Sequence, residues 1–77
     1  MTEKLLSTLK PGEGGVIVKV EGEGRIRRRL FDMGVTPSAE VLVRKVAPLG
    51  DPVEVTLRGY ELTLRKSEAA CVKVETK

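Results

Sequence analysis

Val53-Glu54-Val55-Thr56-Leu57-Arg58-Gly59-Tyr60-Glu61-Leu62-Thr63-Leu64 holds two runs of apolar/polar alternation with a glycine between them. A period of two puts every second side chain on one side of an extended chain, so each run reads as a half-buried strand. Gly59 supplies the turn that folds the second strand onto the first. Val53, Val55, Leu57, Tyr60, Leu62 and Leu64 are thereby expected to share one inner face. Glu54 and Glu61 fall on the opposite face as solvated charges that pair with neighbours such as Arg58 or Lys45 for little net energy.

Upstream, Val41-Leu42-Val43-Arg44-Lys45-Val46 reads as another strand, ended by the stiff loop Ala47-Pro48-Leu49-Gly50-Asp51-Pro52. Val16-Ile17-Val18-Lys19-Val20 is a further strand, with its valines at alternate positions and Lys19 on the other side. Before it, Leu5-Leu6-Ser7-Thr8-Leu9 predicts a short helical turn near 5–9, and Lys10-Pro11-Gly12-Glu13-Gly14-Gly15 a loop turning at Gly12. Downstream, Ser67 is expected to cap a helical turn over 67–71, followed by a last strand, Val72-Lys73-Val74. One true helix is predicted at about 24–33. Ile26, Leu30 and Met33 recur there at helical spacing, and Gly34 stands where a helix stops through a left-handed residue. Arg25, Arg28, Arg29 and Asp32 share its outward face, while Arg27 and Phe31 lie on a flank. Pro37 fixes the turn that follows.

Five to six short strands, one early helix and no βαβ spacing predict a mainly β, SH3-like antiparallel barrel, in which closure would remove the exposed strand edges. With 77 residues there is one modest core and one domain spanning 1–77, too small for a deep internal active site. The chain carries 14 basic and 11 acidic residues, a net charge of +3, and a pI of about 9.3. That balance licenses weak attraction to acidic partners and no more.

There is no histidine and one cysteine, Cys71. This removes disulfide frameworks, zinc fingers and Cys-His or Ser-His-Asp nucleophiles from consideration, and Cys71 reads as a small buried hydrophobe in a reducing compartment. The opening Met1-Thr2-Glu3-Lys4-Leu5-Leu6 is too polar and short for a signal peptide, and no apolar run approaches the roughly 20 residues that span a bilayer. Gly12-Glu13-Gly14-Gly15 lacks the Lys-Ser or Lys-Thr, the preceding strand and the following helix of a phosphate-binding loop. Isolated carboxylates such as Asp32 and Asp51 make neither an acid–base pair nor a metal-ligand set, so no catalytic residue, metal site or cofactor is expected.

In order and spacing these pieces resemble the FeoA family, small cytosolic proteins of bacterial ferrous iron transport. The likeness rests on Leu9 with Pro11-Gly12, on Arg29-Leu30 followed by Asp32-Met33-Gly34-Val35 and Pro37, and on Ala47-Pro48-Leu49-Gly50-Asp51-Pro52. It continues through Arg58-Gly59-Tyr60 and Leu64-Arg65-Lys66 with Glu68-Ala69, and departs at Ser38, where the family pattern usually carries glycine. The resemblance implies an SH3-like barrel with a helical insertion. It also implies a non-catalytic cytoplasmic accessory that docks on the cytosolic GTP-binding portion of the membrane ferrous iron transporter and modulates uptake, meeting the membrane only through that partner.

Docking at a surface then becomes the expected chemistry. The end of the helix, with Arg29, Phe31 and Met33, and the loop, with Pro48, Leu49, Gly50, Asp51 and Pro52, are expected to form a shallow apolar patch with a charged rim. Gly12, Gly34, Pro37 and Gly59 are expected to serve as structural turns. A rival reading is nucleic-acid binding through the basic run Arg25 to Arg29. Phe31 and Tyr60 are the only aromatics, too few for a stacking platform, and Glu21, Glu23 and Asp32 flank the arginines, so specific nucleic-acid readout is not expected. A further alternative is a regulatory or dimerisation module like that of metal-responsive repressors, and self-association into a homo-oligomer fits any small barrel with an exposed apolar rim.

Overall fold

The computed structural model describes residues 2–76. Six strands, β1 (Thr2–Leu5), β2 (Gly14–Val20), β3 (Glu40–Val46), β4 (Val53–Leu57), β5 (Tyr60–Leu64) and β6 (Val72–Thr76), form one antiparallel sheet in the order β1-β6-β2-β3-β4-β5. Helix α1 (Gly24–Asp32) lies between β2 and β3, and the one-turn α2 (Lys66–Ala69) between β5 and β6. The mainly β architecture and the inserted helix agree with the sequence reading. The helical turn expected at 5–9 is a 3₁₀ turn over Leu6–Thr8.

The ladder does not close. Among the described residues β1 and β5 remain as edges, and both carry charged side chains, Glu3 and Lys4 on β1 and Glu61 on β5, that discourage further pairing. Strand β1 escaped the sequence reading because Thr2-Glu3-Lys4 has no apolar alternation. It is held by register with β6 alone, Thr2 opposite Thr76 through Leu5 opposite Lys73.

The interior is aliphatic: Leu6, Ile17, Leu30, Val43, Leu57, Leu64, Val72 and Val74 are wholly buried. Two bulges explain which residues reach it. In β2 the register slips between Ile17 and Lys19, and in β3 between Val43 and Lys45. Each bulge adds a residue and shifts the inward phase by one. So β2 buries Ile17 on one side of its bulge and Val20 on the other, leaving Val16 and Val18 exposed. Gly14 and Gly15 belong to β2, not to the preceding loop. A Cβ on either would overlap a neighbouring backbone carbonyl, that of Val41 or of Glu75, so only glycine lets three strands approach there.

The β4–β5 hairpin forms as the alternation predicts, with Val53 opposite Leu64 and Leu57 opposite Tyr60. Arg58 and Gly59 both take positive φ, as a two-residue turn between right-twisted strands requires. Tyr60 stands opposite buried Leu57 on the expected inner face, yet it is about half exposed, because an edge strand beside the turn leaves its ring at the rim of the core. Cys71 is half-buried at the edge of the core, not enclosed within it.

Helix α1 ends as its sequence requires. Gly34 has φ +91°, its N–H donates to Phe31 O at 3.0 Å, and the N–H of Val35 donates to Leu30 O at 2.9 Å. These are the paired bonds of a Schellman stop, with buried Leu30 and Val35 as its usual apolar contact. In α2 the cap position is Arg65, and Ser67 lies inside the turn. Glu68 reaches back instead, its Oε1 accepting from the Arg65 N–H at 2.9 Å.

Candidate docking surface

The loop between β3 and β4 is built to hold one shape. Pro48 fixes the second position of a turn in which the Gly50 N–H donates to Ala47 O at 2.7 Å. Below the turn the Ala47 N–H donates to Pro52 O at 3.1 Å. Asp51 anchors the loop sideways, its Oδ1 accepting from the backbone N–H of Lys66, the first residue of α2, at 3.0 Å. A carboxylate at a helix start meets N–H groups that have no partner within the helix. Leu49 is left standing at the tip, 91% exposed and the most exposed large apolar side chain among the described residues.

Helix α2 joins that loop to α1. Glu68 is 5% exposed, and its Oε2 lies 3.3 Å from the Arg29 Nε while its Oε1 caps the turn. Arg29 keeps a side chain that is 61% exposed, so its charge still faces solvent. Both carboxylates in this region, Asp51 and Glu68, are used internally. Beside the loop the Lys66 ammonium comes closest, its Nζ 3.8 Å from where a Cβ on Gly50 would stand.

The structure thus brings Arg29 and the loop Pro48, Leu49, Gly50, Asp51 and Pro52 to the two sides of α2. It does not bring Phe31 with them. Residues two apart on a helix point roughly 200° from each other. Phe31 therefore occupies the flank opposite Arg29, where its half-buried ring packs on the core and lies 5.0 Å beneath the Arg27 guanidinium. Met33, the C-cap residue just past α1, is half-buried and also packs on the core.

Among the turns, Gly12, Gly34 and Gly59 all have positive φ, and Pro37 precedes Ser38, which has φ +72°. A second cluster, which sequence reasoning did not connect, buttresses the exit of α1. Arg58 donates from a guanidinium nitrogen to Thr36 Oγ1 at 2.9 Å, and the Tyr60 hydroxyl sits 2.8 Å from where a Cβ on Gly34 would stand. The run Arg58-Gly59-Tyr60 was the available signal. On the far side of the sheet, Gly14, Gly15, Val16, Leu42 and Arg58 line an open groove of about 950 Å³ that contains none of the patch residues. Among the described residues no three His, Cys, Asp or Glu side chains converge as metal ligands would, and no helix is long and apolar enough to cross a membrane.

A small curled sheet with one inserted helix and a rigid, leucine-tipped loop defines an SH3-like module whose distinctive features lie on its surface. The FeoA domain model matches residues 4–76, and the chain belongs to the FeoA family. It is 41% identical over 70 residues to the Fe(2+) transport protein A/Fe(2+) transporter FeoB fusion protein of Porphyromonas gingivalis, a match covering 91% of this chain and 8% of that protein. The FeoA protein of Chlorobium tepidum superposes with a TM-score of 0.86 at 41% identity, covering 95% of this chain and 70% of that one. FeoA of Stenotrophomonas maltophilia, solved with zinc and described as a prokaryotic SH3 domain protein, superposes with a TM-score of 0.79 at 31% identity over 91% of this chain and 87% of its own. The family is therefore linked to ferrous iron transport, and in one relative the domain is fused to the transporter itself.

Proposed function

We propose that this chain is a non-catalytic cytoplasmic accessory of a ferrous iron transporter, docking on the transporter's cytosolic GTP-binding portion through the loop between β3 and β4 and so modulating uptake. The observation that carries the reading is Leu49, a 91% exposed leucine on a loop already fixed by two backbone hydrogen bonds and by Asp51. A side chain displayed on an ordered loop is a binding anchor, because little conformational freedom remains to be lost when a partner covers it. The fusion of the domain to the transporter in a relative supports the choice of partner. Lys66 beside the loop and Arg29 across α2 supply the charge, with Pro48, Gly50 and Pro52 setting the loop's shape. Phe31 and Met33 pack on the core and take no part in this surface.

The docking function needs no metal, cofactor or proton transfer from this chain. Its test is Leu49→Ala, read by titrating the transporter's soluble GTP-binding domain and, separately, the detergent-solubilised transporter. The expected result is a loss of at least about tenfold in affinity, the scale of one central anchor, with the fold unchanged. Unchanged affinity for both partners places the interface elsewhere.

A further inference from the structure

Four arginines stand in α1, and only one has a carboxylate partner. Two ion pairs exist among the described residues, Arg29 with Glu68 and Lys73 with Glu21. Arg25, Arg27 and Arg28 are exposed and unpaired, although Asp32 lies one turn from Arg28. They are held on a short helix fixed by its Schellman stop, and Arg27 is further ordered over the Phe31 ring at 5.0 Å. None of the exposed large apolar side chains belongs to α1; these are Val16, Val18, Leu42, Leu49 and Tyr60. The outward face of α1 therefore carries Arg25 and Arg28 with Asp32 between them and Arg27 on the adjoining flank, a net cationic surface with no exposed large apolar side chain and no part in the groove described above.

We infer that this surface rests on the anionic headgroups of the membrane that holds the transporter. An acidic peptide would need apolar anchors or a groove for register, and the surface has neither. Nucleic acid without a duplex code is bound by stacking as well as charge, and Phe31 is already covered by Arg27. A layer of phosphate headgroups demands only an array of cations. The inference rests on the proposed transporter reading in one respect, that a bilayer lies within reach. Each arginine near an anionic leaflet contributes about fivefold in partitioning, so three contribute on the order of 100-fold. That is weak alone, but it adds to transporter docking as a second point of attachment.

Sedimentation of the full chain with vesicles tests this, using phosphatidylcholine alone and phosphatidylcholine with one-third phosphatidylglycerol at low salt. The variants are the triple R25Q/R27Q/R28Q and the control triple K4Q/K19Q/K45Q, which removes the same charge from exposed sites on strands. The expected result is binding to anionic vesicles on the order of 100-fold above neutral ones, abolished by the arginine triple, largely kept by the lysine triple, and lost in about 1 M salt. Circular dichroism of the arginine triple confirms that the fold survives. Equal loss in both triples would reduce the effect to bulk charge and overturn the inference. So would absence of anionic-vesicle binding, tighter binding to a generic RNA at the same salt, or an arginine-triple defect confined to the detergent-solubilised transporter. Leu49→Ala separates the two readings, since it should weaken transporter docking and leave vesicle binding intact. Vesicle binding without transporter docking would overturn the function proposed above and spare this one.

Discussion

Glu68 is a carboxylate held almost out of water by a backbone N–H and a guanidinium, and its loss should be felt more than the loss of its partner. Glu68→Ala removes the α2 cap and leaves the Arg65 N–H unpaired, so it should lower stability by about 1.5–3 kcal/mol in urea denaturation. Arg29→Ala breaks a half-exposed pair and keeps the cap, and should cost under about 1 kcal/mol. Equal costs would mean that the ion pair, not the cap, holds α2. Ser38 is a polar residue held at φ +72°, in the left-handed region that favours glycine. Ser38→Gly relieves the left-handed cost but loosens the unfolded chain, and a net gain of roughly 0.5 kcal/mol is expected. Gly34→Ala goes the other way by about 1–3 kcal/mol, since the new methyl meets the Tyr60 hydroxyl at 2.8 Å in a backbone region that disfavours it. The need for glycine at 34 was legible in the sequence as a helix stop. The Tyr60 contact was not, because nothing in an alternating strand says that its first residue reaches a helix stop 26 positions earlier.

The elements were legible where one physical signal ruled and illegible where two competed. The β4–β5 hairpin and α1 were readable because period and turn agree. Strand β2 was read in the wrong phase because its bulge depends on β6, which no local pattern reveals. The same holds for Gly14 and Gly15, which read as loop residues until three strands are seen to crowd them, and replacing either with alanine should prevent folding at ordinary temperatures. Strands β2 and β6 are also joined at the surface, where Lys73 Nζ lies 2.9 Å from Glu21 Oε1. Hydrogen bonding to Lys73 and its charge hold the Glu21 carboxyl below its ordinary 4.5, and Glu21 in turn raises Lys73 above 10.5. A lowered carboxyl stabilises above its unfolded pKa and loses that contribution as pH falls through the folded value. A raised lysine stabilises below its unfolded pKa and loses it as pH rises through the folded value. The pair is therefore fully effective between pH 4.5 and 10.5. Both groups are solvated, so coupling in a Glu21→Gln and Lys73→Met cycle should be small at neutral pH, and lost once acid protonates Glu21 or in high salt. Persistence at low pH would show that packing, not charge, links them.

As a whole, the molecule fastens its two main turns differently. The α1 exit is fastened by Arg58, Tyr60 and Gly34, whereas the loop between β3 and β4 is fastened at its base and free at its tip. Sequence alone named that loop and the end of α1 as one patch. The fold keeps the loop and Arg29 together across α2 and sends Phe31 to the opposite flank, a separation set by helical geometry and by where α2 packs. Phe31→Ala should accordingly cost about 1–3 kcal/mol of stability as a half-buried core aromatic, and weaken docking less than Leu49→Ala does. The decisive measurement is an NMR titration of the isotopically labelled chain with the transporter's soluble GTP-binding domain and with the whole detergent-solubilised transporter. Salt-resistant shifts centred on Leu49 to Pro52 and reaching Arg29 and Lys66, with the Phe31 flank quiet, are the predicted result. Saturable binding that leaves the loop unshifted and perturbs the Phe31 flank or the Gly14–Leu42 groove would contradict it.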